Sequence, residues 1–318
     1  MTARWALNPL GRTGLSVSPI TLGGAPLGSM PENFGYEVQE REAIALVGAV
    51  LDSDIRTIDT ANGYSAGRSE ERIGRGIAEH GGLPDDVLIV TKIDAKDGDY
   101  SGDRVLRSLD ESRGRLGLGP LPVVHLHDPE FHDFAEMTGR RGAVQALVEA
   151  RDRGEIGHLG LAGGDVRVMA KYLDLGVFSV LLVHNRWTLV DRSAGDVIAA
   201  ATEKGVAVVN AAVLGGGILA GRTGRSTQYG YRPASAATLD AIAQMRAVCA
   251  SWGTDLATAA VRFSTRDPRI ATTVVGISKI ERIERTVTAA TAELPQEFWD
   301  ELESHLPAPE NWLDTDAV

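Results

Sequence analysis

Eight short apolar runs limit what this chain can become: residues 20–22, 57–59, 87–91, 123–127, 158–161, 180–183, 206–210 and 272–275. Most are followed by a stretch with apolar residues at helical spacing, as Ile44, Val47, Val50 and Leu51 follow the first. Helices are expected over 41–53, 69–80, 103–116, 140–153, 166–174, 195–203, 234–252, 256–264, 279–290 and 295–304. Alternation within the strands is weak, as expected where both faces of a parallel sheet are covered. Eight strand–helix repeats predict an α/β fold, a (β/α)8 or TIM barrel. Residues 5–17 read as two short strands around GRTG, an N-terminal β-hairpin that would cap one end of the barrel. No linker interrupts the pattern, so one barrel domain over 1–318 is expected. The long connection at about 215–233, rich in Gly and polar residues, reads as a mobile lid.

Composition narrows the partners. A net charge of -11 argues against nucleic acid and anionic membrane surfaces, though not against a phosphate-bearing cofactor held locally. The single cysteine, Cys249, excludes an internal disulfide and suits a reducing compartment. It lies in an apolar helical stretch and is expected in the core. The start, MTARWALNPLGR, lacks an apolar signal core, and no segment approaches the ~20 apolar residues of a membrane helix. A cytoplasmic protein is expected, as a monomer or small homo-oligomer.

The chemistry gathers at strand ends, the face where barrels of this kind carry their active sites. In TIDTANGYSAGRSEERIG the second strand ends in Asp59, Tyr64 follows on the loop, and Ser69 opens a helix with Glu70 and Glu71 in its first turn. Lys92 closes the third strand and His127 the fourth, and ends two, three and four are neighbours around a barrel. A free tyrosine, with a pKa near 10, is a poor acid or base at neutral pH. An ammonium nearby would stabilise its phenolate, a carboxylate would keep that lysine charged, and a histidine would hydrogen-bond a substrate oxygen. Together they make a proton relay at a carbonyl or alcohol carbon. His125 points to the same side as His127, one layer deeper. It reads as a satisfied interior histidine, and no ligand cluster completes a metal site around the pair.

TIDTANGY…SEERIG, VTKID and HLHDPE closely resemble the signatures of the aldo-keto reductases. RGEIGHLGLA, VAVVNAAVLGGGILAG and VVGISKIERIERTV are similar to later segments of that family, so the resemblance runs from about Leu10 to Pro295. NRWTLVDRSAG, the GGGILA run, YGYRPAS and LPQEFWDEL are most like its sugar-oxidising branch, the aldose 1-dehydrogenases and the similar pyridoxal 4-dehydrogenases. The resemblance implies hydride transfer with NAD or NADP. Tyr64 would be general acid in reduction and base in oxidation, Lys92 would tune it, Asp59 would pair with Lys92, and His127 would orient the substrate oxygen.

The resemblance also implies a cofactor site. Gly23, Gly24 and Asp59 would border it. The pyrophosphate would lie on Val213-Leu214-Gly215, with Gly217 and Leu219 closing over it, where glycine admits close approach of backbone N–H groups. Gly276, Ile277 and Ser278 would hold the adenosine end, with Arg282, Arg285 and Thr286 beside it. An arginine there would suit a 2′-phosphate. Gly276 stands where many NADP-preferring members have lysine, which tilts the expectation to NAD. Two departures stand out: Ala162-Gly163 occupies the place of a Ser-Asn pair that grips the nicotinamide amide, leaving His184 or Asn185 for that task, and Ala211 occupies an aromatic stacking position. Asn33, Arg186 and Trp187, with Asp128, the 130–132 loop and Trp312, are expected to shape the substrate pocket. Two other classes compete: a lyase with a Schiff base on Lys92, and a nucleotide-binding regulatory subunit.

Overall fold

The structure, a computed structural model, describes residues 5–31, 35–220 and 227–314. The eight expected strands are present: β3 (Ile20–Gly23), β4 (Thr57–Asp59), β5 (Leu88–Ile93), β6 (Leu121–His127), β7 (Ile156–Gly163), β8 (Val180–His184), β9 (Ala207–Ala211) and β12 (Ile270–Gly276). They pair in parallel and close into a barrel in the order β12-β3-β4-β5-β6-β7-β8-β9. The expected hairpin pairs β1 (Asn8–Pro9) with β2 (Ser16–Val17). Its Leu10 and Val17 pack against the interior residues Val90, Val123 and Val180, so it plugs one end of the barrel. Burying two such side chains contributes about 1.5–3 kcal/mol each.

Helices cover the outside: α1 (Glu40–Leu51), α2 (Arg68–His80), α3 (Gly102–Leu116), α4 (Phe134–Thr138), α5 (Ala143–Asp152), α6 (Val166–Leu173), α7 (Gly195–Glu203), α8 (Ala236–Ser251), α9 (Leu256–Thr265), α10 (Glu281–Ala290) and α11 (Gln296–Glu303). Capping side chains set several starts: Ser101, Asp165, Ser235 and Asp255 each accept a first-turn amide. Cys249 is buried among Met245, Val248, Leu256 and Phe298, and burial pushes its thiol up to about 12. Among the described residues no helix is long and apolar enough to cross a membrane.

Three local expectations change. Ser69 does not open its helix: α2 begins at Arg68 after a left-handed Gly67, and the Ser69 hydroxyl is buried against the Gly24 carbonyl (2.8 Å) and the Thr60 hydroxyl (2.8 Å). The helix expected over 140–153 starts at Ala143, with the separate turn α4 before it, because Gly139 breaks off in extended conformation. The expected lid segment contains a second hairpin, β10 (Gln228–Tyr229) with β11 (Arg232–Pro233); its residues 221–226 lie outside the described ones.

Candidate active site

Asp59 ends β4, Lys92 lies on β5 and His127 ends β6, so neighbouring strands deliver all three to one mouth of the barrel. Tyr64 comes from the turn after β4. Ser65 and Ala66 in that turn adopt left-handed conformations (φ 53° and 56°), costing roughly 1–2 kcal/mol per residue. A buried network offsets this. The Asn62 amide donates to the Lys92 carbonyl (3.0 Å), and its side chain donates to Ser108 O (3.1 Å) and the Glu111 carboxylate (3.1 Å). Glu70, fully buried, accepts from the Thr91 hydroxyl (2.6 Å) and from Arg115 (3.1 Å). The carboxylates expected to favour the helix start thus divide: Glu71 stays a first-turn charge, while Glu70 ties α2 to β5.

The Lys92 ammonium donates to Asp59 Oδ1 (2.5 Å) and to the Thr60 carbonyl (2.7 Å), with both side chains almost fully buried. It lies 4.9 Å from the centroid of the Tyr64 ring. The rings of Tyr64 and His127 meet edge to face, 5.7 Å apart. Burial raises the Asp59 carboxyl, and the ammonium offsets part of that rise. Tyr64 departs from expectation. Burial, then the charges of Asp59, Tyr231, Asp128 and Asp94, push its phenol well above the usual range, so it is protonated at neutral pH.

These groups line a cavity of about 740 Å³ that also takes in Gly23, Gly24, Ala162, Gly163, Ala211 and Gly276. His184, Arg186, Val213 and Leu214 complete its far wall. This floor of small residues leads from Tyr64 to the exposed end of β12 at Gly276, a shape that fits a nicotinamide nucleotide laid along it. Ala162, Gly163 and Ala211 line the cavity and bring neither a side-chain amide nor an aromatic ring to it. Asn185 lies directly behind, buried and left-handed (φ 62°), 3.1 Å from His184 Nδ1, and it hydrogen-bonds the Tyr231 hydroxyl.

Other expected residues fall outside the cavity wall. Gly215 packs on Tyr229, Leu219 is core, and Gly217 follows on the same turn. Ile277 is buried, while Ser278, Arg282 and Thr286 lie on or before α10, beyond Gly276, and Arg285 is exposed and paired with Asp255 (3.0 Å). Trp187 does not face the cavity: its indole donates to Asp267 (3.1 Å) and packs on Phe263, sandwiched by Arg192 and Arg269. Trp187 lies three residues beyond the end of β8, after the left-handed Asn185. Trp312 donates to the Pro307 carbonyl (2.9 Å), away from the cavity. Asn33 lies outside the described residues.

His125 is interior and neutral, since burial and then the charges of Lys92 and His127 lower its pKa well below the ordinary value. It is not fully satisfied, however: Nδ1 has no hydrogen-bond partner, and the ring lies over Gly160.

Sequence reasoning missed Asp94, Tyr231 and Asp314. Asp94, two residues after Lys92, shares its side of the chain and accepts from His127 Nδ1 at 2.6 Å; that spacing was the available signal. Tyr231 reaches the mouth from the turn between β10 and β11. Asp314 holds Arg186 by two hydrogen bonds of 3.1 Å, a contact spanning 128 residues for which no local signal exists.

A family model described as "Aldo/keto reductase family" matches residues 19–307. The chain is 30% identical to the pyridoxal 4-dehydrogenase of Microbacterium luteolum, over 93% of this chain and 96% of that protein. It is 30% identical to the L-galactose dehydrogenase of Arabidopsis thaliana, over 96% and 95%. The fold is like that of the holo form of aldo-keto reductase AKR11C1 from Bacillus halodurans, with a TM-score of 0.78 at 22% identity, over 94% and 96% of the two chains.

Proposed function

We infer that this chain, which belongs to the aldo/keto reductase family and is thereby an NAD(P)-dependent oxidoreductase, oxidises the C1 lactol of an aldose to a lactone or interconverts a small aldehyde and its alcohol. The observation that carries this reading is the convergence of Asp59, Lys92, Tyr64 and His127 on one cavity with a small-residue floor. When bound, the nicotinamide supplies hydride donation or acceptance and, in its oxidised form, a positive charge. In reduction Tyr64 gives its phenolic proton to the carbonyl oxygen. In oxidation the phenol first gives up its own proton to solvent, and the phenolate oxygen then takes the proton of the lactol hydroxyl. A positive charge close by would oppose the burial and the neighbouring carboxylates that raise the phenol. Lys92 and Asp59 hold the ring's surroundings fixed, and His127 hydrogen-bonds the same substrate oxygen. Gly23, Gly24, Val213, Leu214 and Gly276 would border the cofactor, with Arg282 and Arg285 near its adenosine end.

The charge of the mouth supports a neutral or cationic substrate. Asp128, Glu130 and His184 each bring a polar atom within 4.8 Å of the others, and Arg186 is already held by Asp314. Phe131 and Tyr231, both strongly exposed, offer flat faces to the C–H face of a sugar or to an aromatic aldehyde. The protonated Tyr64 supports a second reading, a reductase of general aldehydes and ketones using NADPH. The Schiff-base reading is disfavoured, because the Lys92 ammonium is committed to Asp59 and Thr60 O.

The test is nicotinamide absorbance with NAD+ and NADP+ against free aldoses and simple alcohols, and with NADPH against aldehydes and ketones. Aldose oxidation supports the first reading, and NADPH consumption alone supports the second. Full turnover by Tyr64→Phe would remove both.

A further inference from the structure

Asp94 follows β5 directly and is fixed on every side. Its amide donates to Ser108 Oγ (3.2 Å) and its carbonyl accepts from Arg104 Nε (3.4 Å). Its carboxylate, 18% exposed, takes one hydrogen bond at each oxygen: Oδ1 from His127 Nδ1 (2.6 Å) and Oδ2 from the Gly63 amide (2.6 Å). A Cβ at position 63 would lie 2.9 Å from Asp94 Cγ, so this approach needs glycine. Tyr100 fixes the other side of His127, its hydroxyl accepting from the His127 amide (2.9 Å). With Nδ1 committed, the other nitrogen, Nε2, lies 3.7 Å from Asp128 Oδ1, beyond hydrogen-bond distance, on a ring that lines the cavity.

A neutral imidazole with its proton on Nδ1 offers only a lone pair at Nε2, whereas a carboxylate on Nδ1–H favours the form protonated at both nitrogens. We propose that Asp94 is a positioning residue of this site: its carboxylate holds His127 as a proton donor at Nε2 and ties that donor to the loop that carries Tyr64. This inference rests on the oxidoreductase reading only for the identity of the atom that receives the hydrogen bond. The charged and titratable groups around His127 are Asp94 after β5, Lys92 on β5, Asp59 on β4, Tyr64 on the following turn, Tyr100 before α3, Asp128 and His125 on either side along the chain, and His184 on β8. Burial lowers the His127 pKa, but Asp94 and Asp128 outweigh that effect and raise it.

The experiment is a histidine-selective NMR titration of the full chain, with the His127 signals assigned by their loss in His127→Gln, run beside steady-state kinetics in the reductive direction. In Asp94→Asn the His127 titration moves to lower pH, the alkaline limb of kcat moves with it, and kcat falls on the order of 10²-fold with little change in KM. Gly63→Ala, which pushes a methyl group against the same carboxylate, moves both in the same direction. An unmoved His127 titration in both variants overturns the proposal, even if kcat falls, because that loss would be structural only. A shifted titration with kcat unchanged overturns it too. If the parent protein turns over no carbonyl, the oxidoreductase reading fails, and the titration alone still decides whether Asp94 holds the proton on His127.

Discussion

The Lys92 ammonium and the Asp59 carboxylate form a buried ion pair, 2.5 Å apart, on adjacent strands at the mouth of the barrel. The pair meets its desolvation cost only while both members are present. Lys92→Met is expected to leave Asp59 buried and unpaired, and to destabilise the protein by about 3–5 kcal/mol unless the carboxyl takes up a proton. Urea unfolding at pH 8 and pH 5 checks this: the loss should be smaller at pH 5, where the raised Asp59 carboxyl protonates more readily.

Tyr64→Phe removes the hydroxyl and leaves the ring that meets His127 edge to face. Stability should change little, while kcat for either direction should fall by about 10²–10⁴. Unchanged nicotinamide-nucleotide binding, measured by fluorescence titration, would show that the loss lies in proton transfer.

Acid should destabilise the protein early. Burial, then the Arg186 charge, pushes His184 down to about 4, against 6.5 when unfolded. Between those values the unfolded chain binds the extra proton, so stability falls as pH drops from about 6.5 to about 4. Glu111, pushed down to about 2 mainly by its hydrogen bonds with Arg104, adds a further loss from about 4.5 downward. Urea midpoints for His184→Gln should lose the first part of this slope and keep the second.

Gly160 lies beneath the His125 ring, and a Cβ there would stand 2.1 Å from Nδ1. Gly160→Ala is expected to cost about 1–3 kcal/mol through overpacking. The cost should nearly vanish in a His125→Ala background, a coupling that a double-mutant cycle of unfolding free energies would read.

Asp314 occupies both contacting nitrogens of Arg186 at the cavity edge. Asp314→Ala should free that guanidinium and shift selectivity toward anionic substrates, raising the ratio of kcat/KM for a uronic acid over a neutral aldose by about tenfold, the equivalent of 1.4 kcal/mol. An unchanged ratio would mean that Arg186 does not reach the substrate.

Eight apolar runs at barrel spacing, most of them ahead of a helical pattern, determined the architecture, because the backbone satisfies its hydrogen bonds locally or between neighbouring strands in that order. The same pattern placed Asp59, Lys92 and His127 at strand ends, and strand adjacency then brought them together. Side-chain direction beyond the strands was not legible. Trp187 turned outward through the left-handed Asn185, and Tyr231 entered on a hairpin whose turn is set by its own pairing. Charge state was not legible either: nearness to Lys92 suggested a lowered Tyr64 pKa, whereas burial and the surrounding carboxylates raise it. The sequence by itself thus determined the barrel and the order of its reactive groups, through local periodicity. Only the tertiary structure decided the Asp94–His127 and Arg186–Asp314 pairings and the upward direction of the Tyr64 shift, because those depend on distances and desolvation between residues far apart in the chain.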